Sequence, residues 1–138
     1  MDTWTGADEH QGDGVLNSIE THFDGNTNKY KNRLTKFKGT SFNFFNSTTS
    51  TENFDLIYID GSHHTDDVII DAVKGFEQLK IGGLMIFDDY FWTYYKNAID
   101  NPAGAVNAFL TLKSGCYEVL AVYSQLILRK LSDGRRLS

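Results

Sequence analysis

Apolar positions in the middle of the chain follow two different periods, and together they predict a strand, a helix and a second strand. Residues 54–59 are a short apolar run rich in β-branched and aromatic side chains, which is typical of a strand buried on both faces. Residues 65–79 place apolar side chains at helical spacing, and Gly82-Gly83 is expected to end this helix. Residues 84–87 then predict a second apolar strand. The buried stripe of the helix is predicted to comprise Ile69, Ala72, Val73, Phe76 and Leu79.

Weaker patterns on both sides predict the remaining elements. A helix is expected to begin at Asp13 and to stop at Gly25, and residues 33–38 are expected to form a strand. Asn101-Pro102 is a good helix start. The chain therefore predicts one α/β domain over residues 1–138. The buried side of the first helix is predicted to be Val15, Leu16, Ile19 and Phe23, and the last two strands are predicted at 117–122 and 125–131, as an antiparallel pair.

Composition narrows the class of protein. The chain has 138 residues, 13 basic against 18 acidic, and a net charge of −5, which argues against a nucleic-acid surface. No apolar stretch is long enough to cross a membrane. Cys116 is the only cysteine, so an internal disulfide is excluded and a reducing cytoplasm fits best. We expect a soluble cytoplasmic protein whose partner is a small molecule.

Acidic side chains follow both central strands at the point where each strand ends. Asp60 closes the first strand and Asp88-Asp89 closes the second. Two strands joined by a helix should lie parallel, so their carboxyl ends share one edge of the sheet, where α/β proteins bind ligands. Three carboxylates this close would repel one another, and a hard divalent ion such as Mg²⁺ is their natural partner. The alternative is that these acids only serve turns.

Four segments carry a resemblance to a known family. The run YIDGSHH, then a helix, then KIGGLMIFDDYFW resembles the second half of a class I S-adenosylmethionine-dependent methyltransferase. It is most similar to the metal-dependent O-methyltransferases of sugars and antibiotics. The opening DTWTGADEH is similar to the segment after the second strand in that group, and KGTSFNFF is similar to the segment after the third. The order and spacing of the four segments make the resemblance fairly specific.

The resemblance implies where the cofactor binds. The acid that closes the second strand of the family usually holds the ribose hydroxyls of S-adenosylmethionine, and Asp2 stands there, with Trp4 in the same segment. Ser41 matches a position near the adenine. Asp60 and Gly61, after the fourth strand of the family, complete the residues expected to contact the cofactor.

The resemblance also implies the metal ligands and the base. The family's metal-binding acids map onto Asp60, Asp88 and Asp89, which agrees with the pocket inferred from the strand ends. A histidine three residues beyond the first metal acid serves as general base in some members, and His63 occupies that place. An imidazole is well suited to removing a hydroxyl proton near neutral pH. The alternative for His63, and for His64 beside it, is a capping or solvated role at the helix start.

One departure from the family bears on assembly. The fold normally begins with a strand and a glycine-rich turn, and Met1 falls where the second strand should be ending. We therefore expect a Rossmann-like methyltransferase sheet without its first strand and most of its second, mostly parallel, with a C-terminal antiparallel strand pair. The open edge of the 54–59 strand should be covered by the 33–38 strand, by a second copy of the chain or by exchanged segments, so a homo-oligomer is expected.

Three functions compete at this point. The first is a metal-assisted O-methyltransferase in which Mg²⁺ orients the substrate oxygens and His63 takes the proton. The second is a non-catalytic truncated domain that acts in assembly or binding. The third is a Mg²⁺-dependent phosphoryl-transfer pocket, which is disfavoured because no Walker-type loop is present and no Lys or Arg stands near the acids.

Overall fold

The computed structural model describes residues 1–6, 16–48 and 54–134. The chain divides into two compact units, Met1–Thr48 and Thr49–Ser138. The single domain expected from the sequence stays a prediction. Asp13 and Val15, expected at the start of the first helix, lie outside the described residues.

The first unit contains two helices. Helix α1 spans Leu16–Thr27 and a turn of 3-10 helix follows at Asn28–Tyr30, while α2 spans Ser41–Ser47. The prediction that Gly25 ends α1 is wrong, because the helix continues through Gly25 to Thr27, whose hydroxyl donates to the Phe23 carbonyl at 2.7 Å. Ile19, predicted to be buried, is 40 % exposed.

The predicted strand at residues 33–38 does not form, so that prediction is wrong. Only Lys38 takes part in β pairing, as an isolated parallel bridge with Asp2. The physical reason lies in the side chains of the segment. Lys36 Nζ lies 2.8 Å from Glu20 Oε1 and 2.7 Å from Asp24 Oδ1, and these ion pairs hold the segment on α1. Local apolar periodicity is therefore overridden by tertiary contacts.

The second unit is a four-stranded sheet with two helices. The strand order is β1-β2-β4-β3; β1 and β2 are parallel, and β4 is antiparallel to both β2 and β3. The α/β class, the parallel central pair and the C-terminal antiparallel pair are confirmed. The described sheet is mixed and not mostly parallel, because β4 runs antiparallel to both of its neighbours. The segment predicted as a further parallel strand, residues 33–38, stays outside strand structure. The elements are β1 (Phe54–Ile59), α3 (Thr65–Gln78), β2 (Leu79–Phe87), α4 (Pro102–Leu112), β3 (Tyr117–Val122) and β4 (Leu126–Lys130), with a 3-10 turn at Ala98–Asp100.

The end of α3 differs from the prediction. The helix stops at Gln78 and β2 begins at Leu79, before the glycine pair that was expected to separate them. Phe54 pairs with Leu79, but Leu56 pairs with Leu84, so β2 carries extra residues opposite β1. Gly82 lies in this bulge with a φ of +86°, a backbone conformation that glycine adopts without steric cost.

A single apolar core joins the helices to one face of the sheet. The buried side of α3 includes Ala72 and Phe76, as predicted, together with Val68. Phe109 of α4 packs against Phe76 and Phe87, with ring centroids 5.5 Å apart in both pairs. These contacts hold β2, and with it the acids at its end, against both helices. The other buried apolar residues of this core are Leu79, Met85, Ala105, Val106, Cys116, Leu126 and Leu128.

Strand β1 lies at the edge of this sheet and is not buried on both faces. Leu56 is 51 % exposed and Tyr58 is 45 % exposed, so the expectation of a doubly buried strand is wrong. The reason is its position: in the described sheet, β2 is its strand neighbour. Among the helices of the described residues, none combines the length and apolar character needed to span a membrane.

Candidate functional site

The carboxyl ends of β1 and β2 place the predicted acids at one edge of the sheet. Ile59 pairs with Phe87, and the Asp88 amide donates to the Ile59 carbonyl at 2.9 Å. Asp60 directly follows β1 and Asp88 directly follows β2, so the two residues lie side by side at the carboxyl edge of the sheet. The structure confirms that parallel pairing brings these two strand ends together.

The Asp88 carboxylate is held by a network of neutral donors. Tyr58 on β1 donates a short hydrogen bond from its hydroxyl to Asp88 Oδ2. Gln125, just before β4, donates from Nε2 to the Tyr58 hydroxyl oxygen at 2.9 Å and to Asp88 Oδ1 at 3.1 Å. The Asp89 amide donates to the same Oδ1 at 2.9 Å. Asp88 is thus fixed in orientation by donors from three segments.

These contacts shift two pKa values in opposite directions. The hydrogen bond to Asp88 raises the pKa of Tyr58 to about 12, helped by desolvation and by the negative charges of Asp88, Asp60 and Asp89. The hydrogen bond from Tyr58 lowers the pKa of Asp88, assisted by Gln125, the Asp89 amide and the charge of His63. Because the Tyr58 hydroxyl responds to all three carboxylates, the three acids share one electrostatic environment.

Asp89 pairs with the predicted base. His63 Nε2 lies 3.0 Å from Asp89 Oδ2, and the His63 side chain is 13 % exposed. The imidazole stacks on the indole of Trp92, with centroids 4.3 Å apart and planes 15° apart. Asp89 has a φ of +52°, and this left-handed residue turns the chain so that the Trp92 amide bonds the Asp89 carbonyl at 2.9 Å. His63 is therefore oriented by a carboxylate and a ring.

An open hollow lies beside this pair, between the strand ends and the two helices. Its empty volume, which is continuous with solvent, is about 270 Å³. Asp60, Gly61, His63 and Asp88 line its polar side. Its apolar wall comes from Ile59, Phe87, Val68, Pro102 and Val106. The geometry offers a carboxylate-rich rim and an imidazole next to an apolar surface.

The described side chains do not form a metal site in this arrangement. Among residues 1–6, 16–48 and 54–134, no three His, Cys, Asp or Glu side chains are grouped so as to hold an ion. Carboxylate oxygens are the ligands that Mg²⁺ prefers, so Asp60, Asp88 and Asp89 suit the ion chemically. Their geometry does not fit it, because Asp88 accepts bonds from Tyr58 and Gln125 while Asp89 faces His63.

The remaining predicted cofactor residues belong to the first unit. Asp2 is exposed, and its Oδ1 accepts a hydrogen bond from the Trp4 amide at 2.6 Å. Trp4 has a φ of +66°, and its ring lies 4.8 Å from that of Phe23. Ser41 is the first residue of α2, directly after the capping residue Thr40. The Asp2–Lys38 bridge is the pairing expected where parallel second and third strands of the resembled fold would meet.

Sequence reasoning missed two residues of the site, Tyr58 and Gln125. Tyr58 stands two positions before Asp60, which directly follows the strand, so the period-two rule of an extended chain places the two side chains on one side. That signal was present in the sequence. Gln125 reaches the site only because β4 pairs with β2, which the local pattern does not specify.

Comparison with protein families and with curated sequences gives one match and one negative result. A family model described as a methyltransferase domain matches residues 1–90, more than half of the chain. No curated protein sequence is significantly similar to this chain.

Two solved structures share the fold. One is the MycE methyltransferase of the mycinamycin biosynthetic pathway, in complex with Mg, SAH and mycinamycin VI: it is 18 % identical, has a TM-score of 0.53, and the alignment covers 71 % of this chain and 32 % of MycE. The other is a Klebsiella pneumoniae protein thought to be an O-methyltransferase: it is 14 % identical, has a TM-score of 0.63, and the alignment covers 87 % of this chain and 59 % of that one. The chain thus spans a third to three fifths of these structures.

Proposed function

Because the chain belongs to the methyltransferase domain family, we propose that it transfers a methyl group from S-adenosylmethionine to a hydroxyl group of a small molecule. The observation that carries the choice of a hydroxyl acceptor is the pairing of His63 Nε2 with Asp89 Oδ2 at 3.0 Å. This pair lies at the carboxyl edge of parallel strands, where α/β folds bind ligands.

The residues of the pair have distinct roles in the proposed reaction. When bound, S-adenosylmethionine would supply a methyl group on a positively charged sulfur, and that sulfur would keep the bonding electrons in the product S-adenosylhomocysteine. His63 accepts the proton that the hydroxyl loses, as a general base. The accepting nitrogen is Nδ1, since Nε2 faces the Asp89 carboxylate, and Nδ1, which is buried in this arrangement, must become exposed for the transfer. The Asp89 carboxylate stabilises the resulting imidazolium, and stacking on Trp92 keeps the ring in place.

Residues for cofactor binding are proposed from the family resemblance. Asp2, Trp4 and Ser41 belong to the first unit, and Asp60 and Gly61 to the second. Exposed Asp2 has a second carboxylate oxygen, Oδ2, besides the one that the Trp4 amide occupies, and a ribose hydroxyl would donate to it.

A divalent cation on Asp60, Asp88 and Asp89 is proposed on sequence grounds alone. MycE is bound to Mg in its structure, and Asp60, Asp88 and Asp89 stand at the strand ends of this chain. The present side-chain arrangement does not fit an ion, so no step of the mechanism is derived through it. An ion bound to Asp88 Oδ2 would share that oxygen with the hydrogen bond from Tyr58.

Calorimetric titration of the full chain with S-adenosylhomocysteine, with and without Mg²⁺, tests the proposal. We expect S-adenosylhomocysteine to bind in both conditions, because the residues predicted to hold it need no ion. The alternative functions give different results. No heat in either condition would support the non-catalytic assembly domain, and Mg²⁺-dependent binding of a phosphate analogue alone would support phosphoryl transfer.

The edge strand β1 favours association of the chain with itself. Leu56 and Tyr58 are about half exposed on a strand with one strand neighbour in the described sheet, and unpaired edges recruit other strands. We propose that a second copy covers this edge. Light scattering coupled to size exclusion is expected to give at least twice the 15.6 kDa chain mass. A Leu56→Lys variant should be monomeric, and a monomeric parent chain would contradict the proposal.

A further inference from the structure

An aromatic segment follows Asp89, and its first ring, Tyr90, packs against the core. Five of the six residues from Tyr90 to Tyr95 are aromatic. Two of them, Phe91 and Tyr94, are 63 % and 62 % exposed. Large aromatic side chains gain most from burial, so exposed rings beside a candidate site indicate a binding surface.

Part of this segment forms an ordered stack that begins at the base. His63 stacks on Trp92 at 4.3 Å and 15°, and Trp92 stacks on Tyr94 at 5.3 Å and 26°. Tyr95 meets the rings of Trp92 and Tyr94 edge-on, at 5.3 Å and 5.6 Å. The stack therefore extends the surface of the site by two aromatic side chains beyond the imidazole.

A buried asparagine fixes the position of this stack. Asn101 is 4 % exposed, and its Oδ1 accepts a hydrogen bond from the Tyr95 amide at 3.0 Å. Its Nδ2 donates to the carbonyls of Tyr95 and Asn97, at 3.0 Å and 3.1 Å. At the other end, the Trp92 amide is bonded to the Asp89 carbonyl. Because both ends are held, the rings are arranged before any ligand arrives, which lowers the cost of binding.

The carboxylates next to the stack restrict the charge that a ligand can carry. Asp89 Oδ2 lies 3.0 Å from His63 Nε2, and Asp60 and Asp88 line the hollow together with this histidine. A negatively charged acceptor would be repelled by these carboxylates. The stack offers flat apolar faces, which suit a ring without negative charge.

We infer that Tyr94, at the exposed end of the stack that Trp92 joins to His63, binds a second ring of the methyl acceptor, so that the acceptor is a compound of at least two rings without negative charge. The inference rests on the proposed function, since His63 must act on a hydroxyl for a neighbouring surface to bind the rest of the acceptor. A hydroxyl on the first ring meets His63 while the second ring lies along the stack. Contacts remote from the reacting atom then strengthen acceptor binding.

Catechin and catechol form a matched pair of probes. Both carry the same pair of adjacent hydroxyls, and catechin alone has an additional ring system. Their dissociation constants are measured by calorimetry on the full chain, with and without S-adenosylhomocysteine. Tyr94→Ala tests the stack, and Phe91→Ala is the control, because Phe91 is equally exposed and lies against Tyr90 at 5.0 Å. Thermal unfolding verifies that both variants are folded.

We expect Tyr94→Ala to weaken catechin binding about three- to tenfold and to leave catechol binding unchanged within about twofold. Phe91→Ala should leave both unchanged. The inference is overturned if Tyr94→Ala and Phe91→Ala lose catechin affinity equally, or if Tyr94→Ala loses none. It is also overturned if the parent chain binds catechin no more tightly than catechol. If S-adenosylhomocysteine does not bind, that result counts against the proposed function. The measurement of catechin binding in the absence of S-adenosylhomocysteine still tests the stack.

Discussion

Replacing His63 with Gln is expected to lower kcat for methyl transfer by about 10²- to 10⁴-fold, the usual contribution of a general base. Glutamine keeps a hydrogen-bonding side chain opposite Asp89, and it cannot accept the hydroxyl proton. The affinity for S-adenosylhomocysteine should be unchanged, because cofactor binding is proposed to rest on other residues. Turnover with a radiolabelled methyl donor and calorimetry with the product analogue measure the two effects separately.

His64 supplies a matched control on the next residue. Its Nε2 lies 3.2 Å from the Tyr95 hydroxyl, and its ring stacks on Tyr95 at 5.0 Å, so it has its own polar partner and its own aromatic neighbour. His64→Gln is expected to change kcat by less than about threefold, since this imidazole lies against the Tyr95 hydroxyl and is not the proposed base. If both substitutions reduce kcat equally, or if His63→Gln retains full activity, the assignment of the base is wrong.

The position of the candidate site could be predicted from the sequence because strand ends are encoded locally. The apolar run before Asp60 and the one before Asp88 fix where each strand stops, and the helix between them requires parallel pairing. The observed pairing of Ile59 with Phe87 is the consequence. The choice of His63 as the base came from the family resemblance, because an imidazole near a helix start has several ordinary roles.

The partners of each carboxylate could not be predicted, because they come from distant parts of the chain. Gln125 and Tyr58 are separated by 67 residues, and their contact depends on β4 returning beside β2. A cation was expected to relieve the repulsion among the acids. In the structure Tyr58 and Gln125 supply donors to Asp88, and His63 faces Asp89. The sequence indicated that these acids need partners, and it did not indicate that Asp88 would receive neutral hydrogen-bond donors.

In the first unit, tertiary contacts outweigh the local sequence pattern, unlike at the strand ends of the second unit. Residues 33–38 have the composition of a strand, and α1 contains a glycine that usually ends a helix. Ion pairs from Lys36 to Glu20 and Asp24 hold the segment along α1, and the helix runs past Gly25. Such pairs are specified by residues 12 to 16 positions apart, which period counting over a short window does not detect.

Replacing Lys130 with Met is expected to lower the free energy of unfolding by about 2–4 kcal/mol, because a buried network loses its donor. Lys130 is fully buried, and its Nζ donates to the carbonyls of Phe76 and Leu79 at 2.9 Å and 2.7 Å. It also lies 2.6 Å from Asp133 Oδ1. These bonds join β4 to the C-terminal end of α3. Methionine fills nearly the same volume and leaves both carbonyls and the carboxylate without this ammonium group.

Lys80→Met is the control, since the same substitution there removes an exposed ion pair. Lys80 Nζ lies 2.9 Å from Asp55 Oδ1, and the two side chains are 46 % and 84 % exposed. Its loss should cost less than about 1 kcal/mol, the usual range for surface pairs. Urea unfolding of both variants measures the difference. A buried ammonium also carries a desolvation cost, which an apolar side chain avoids. If Lys130→Met is as stable as Lys80→Met, desolvation outweighs the three contacts, and β4 must be joined to α3 by apolar packing.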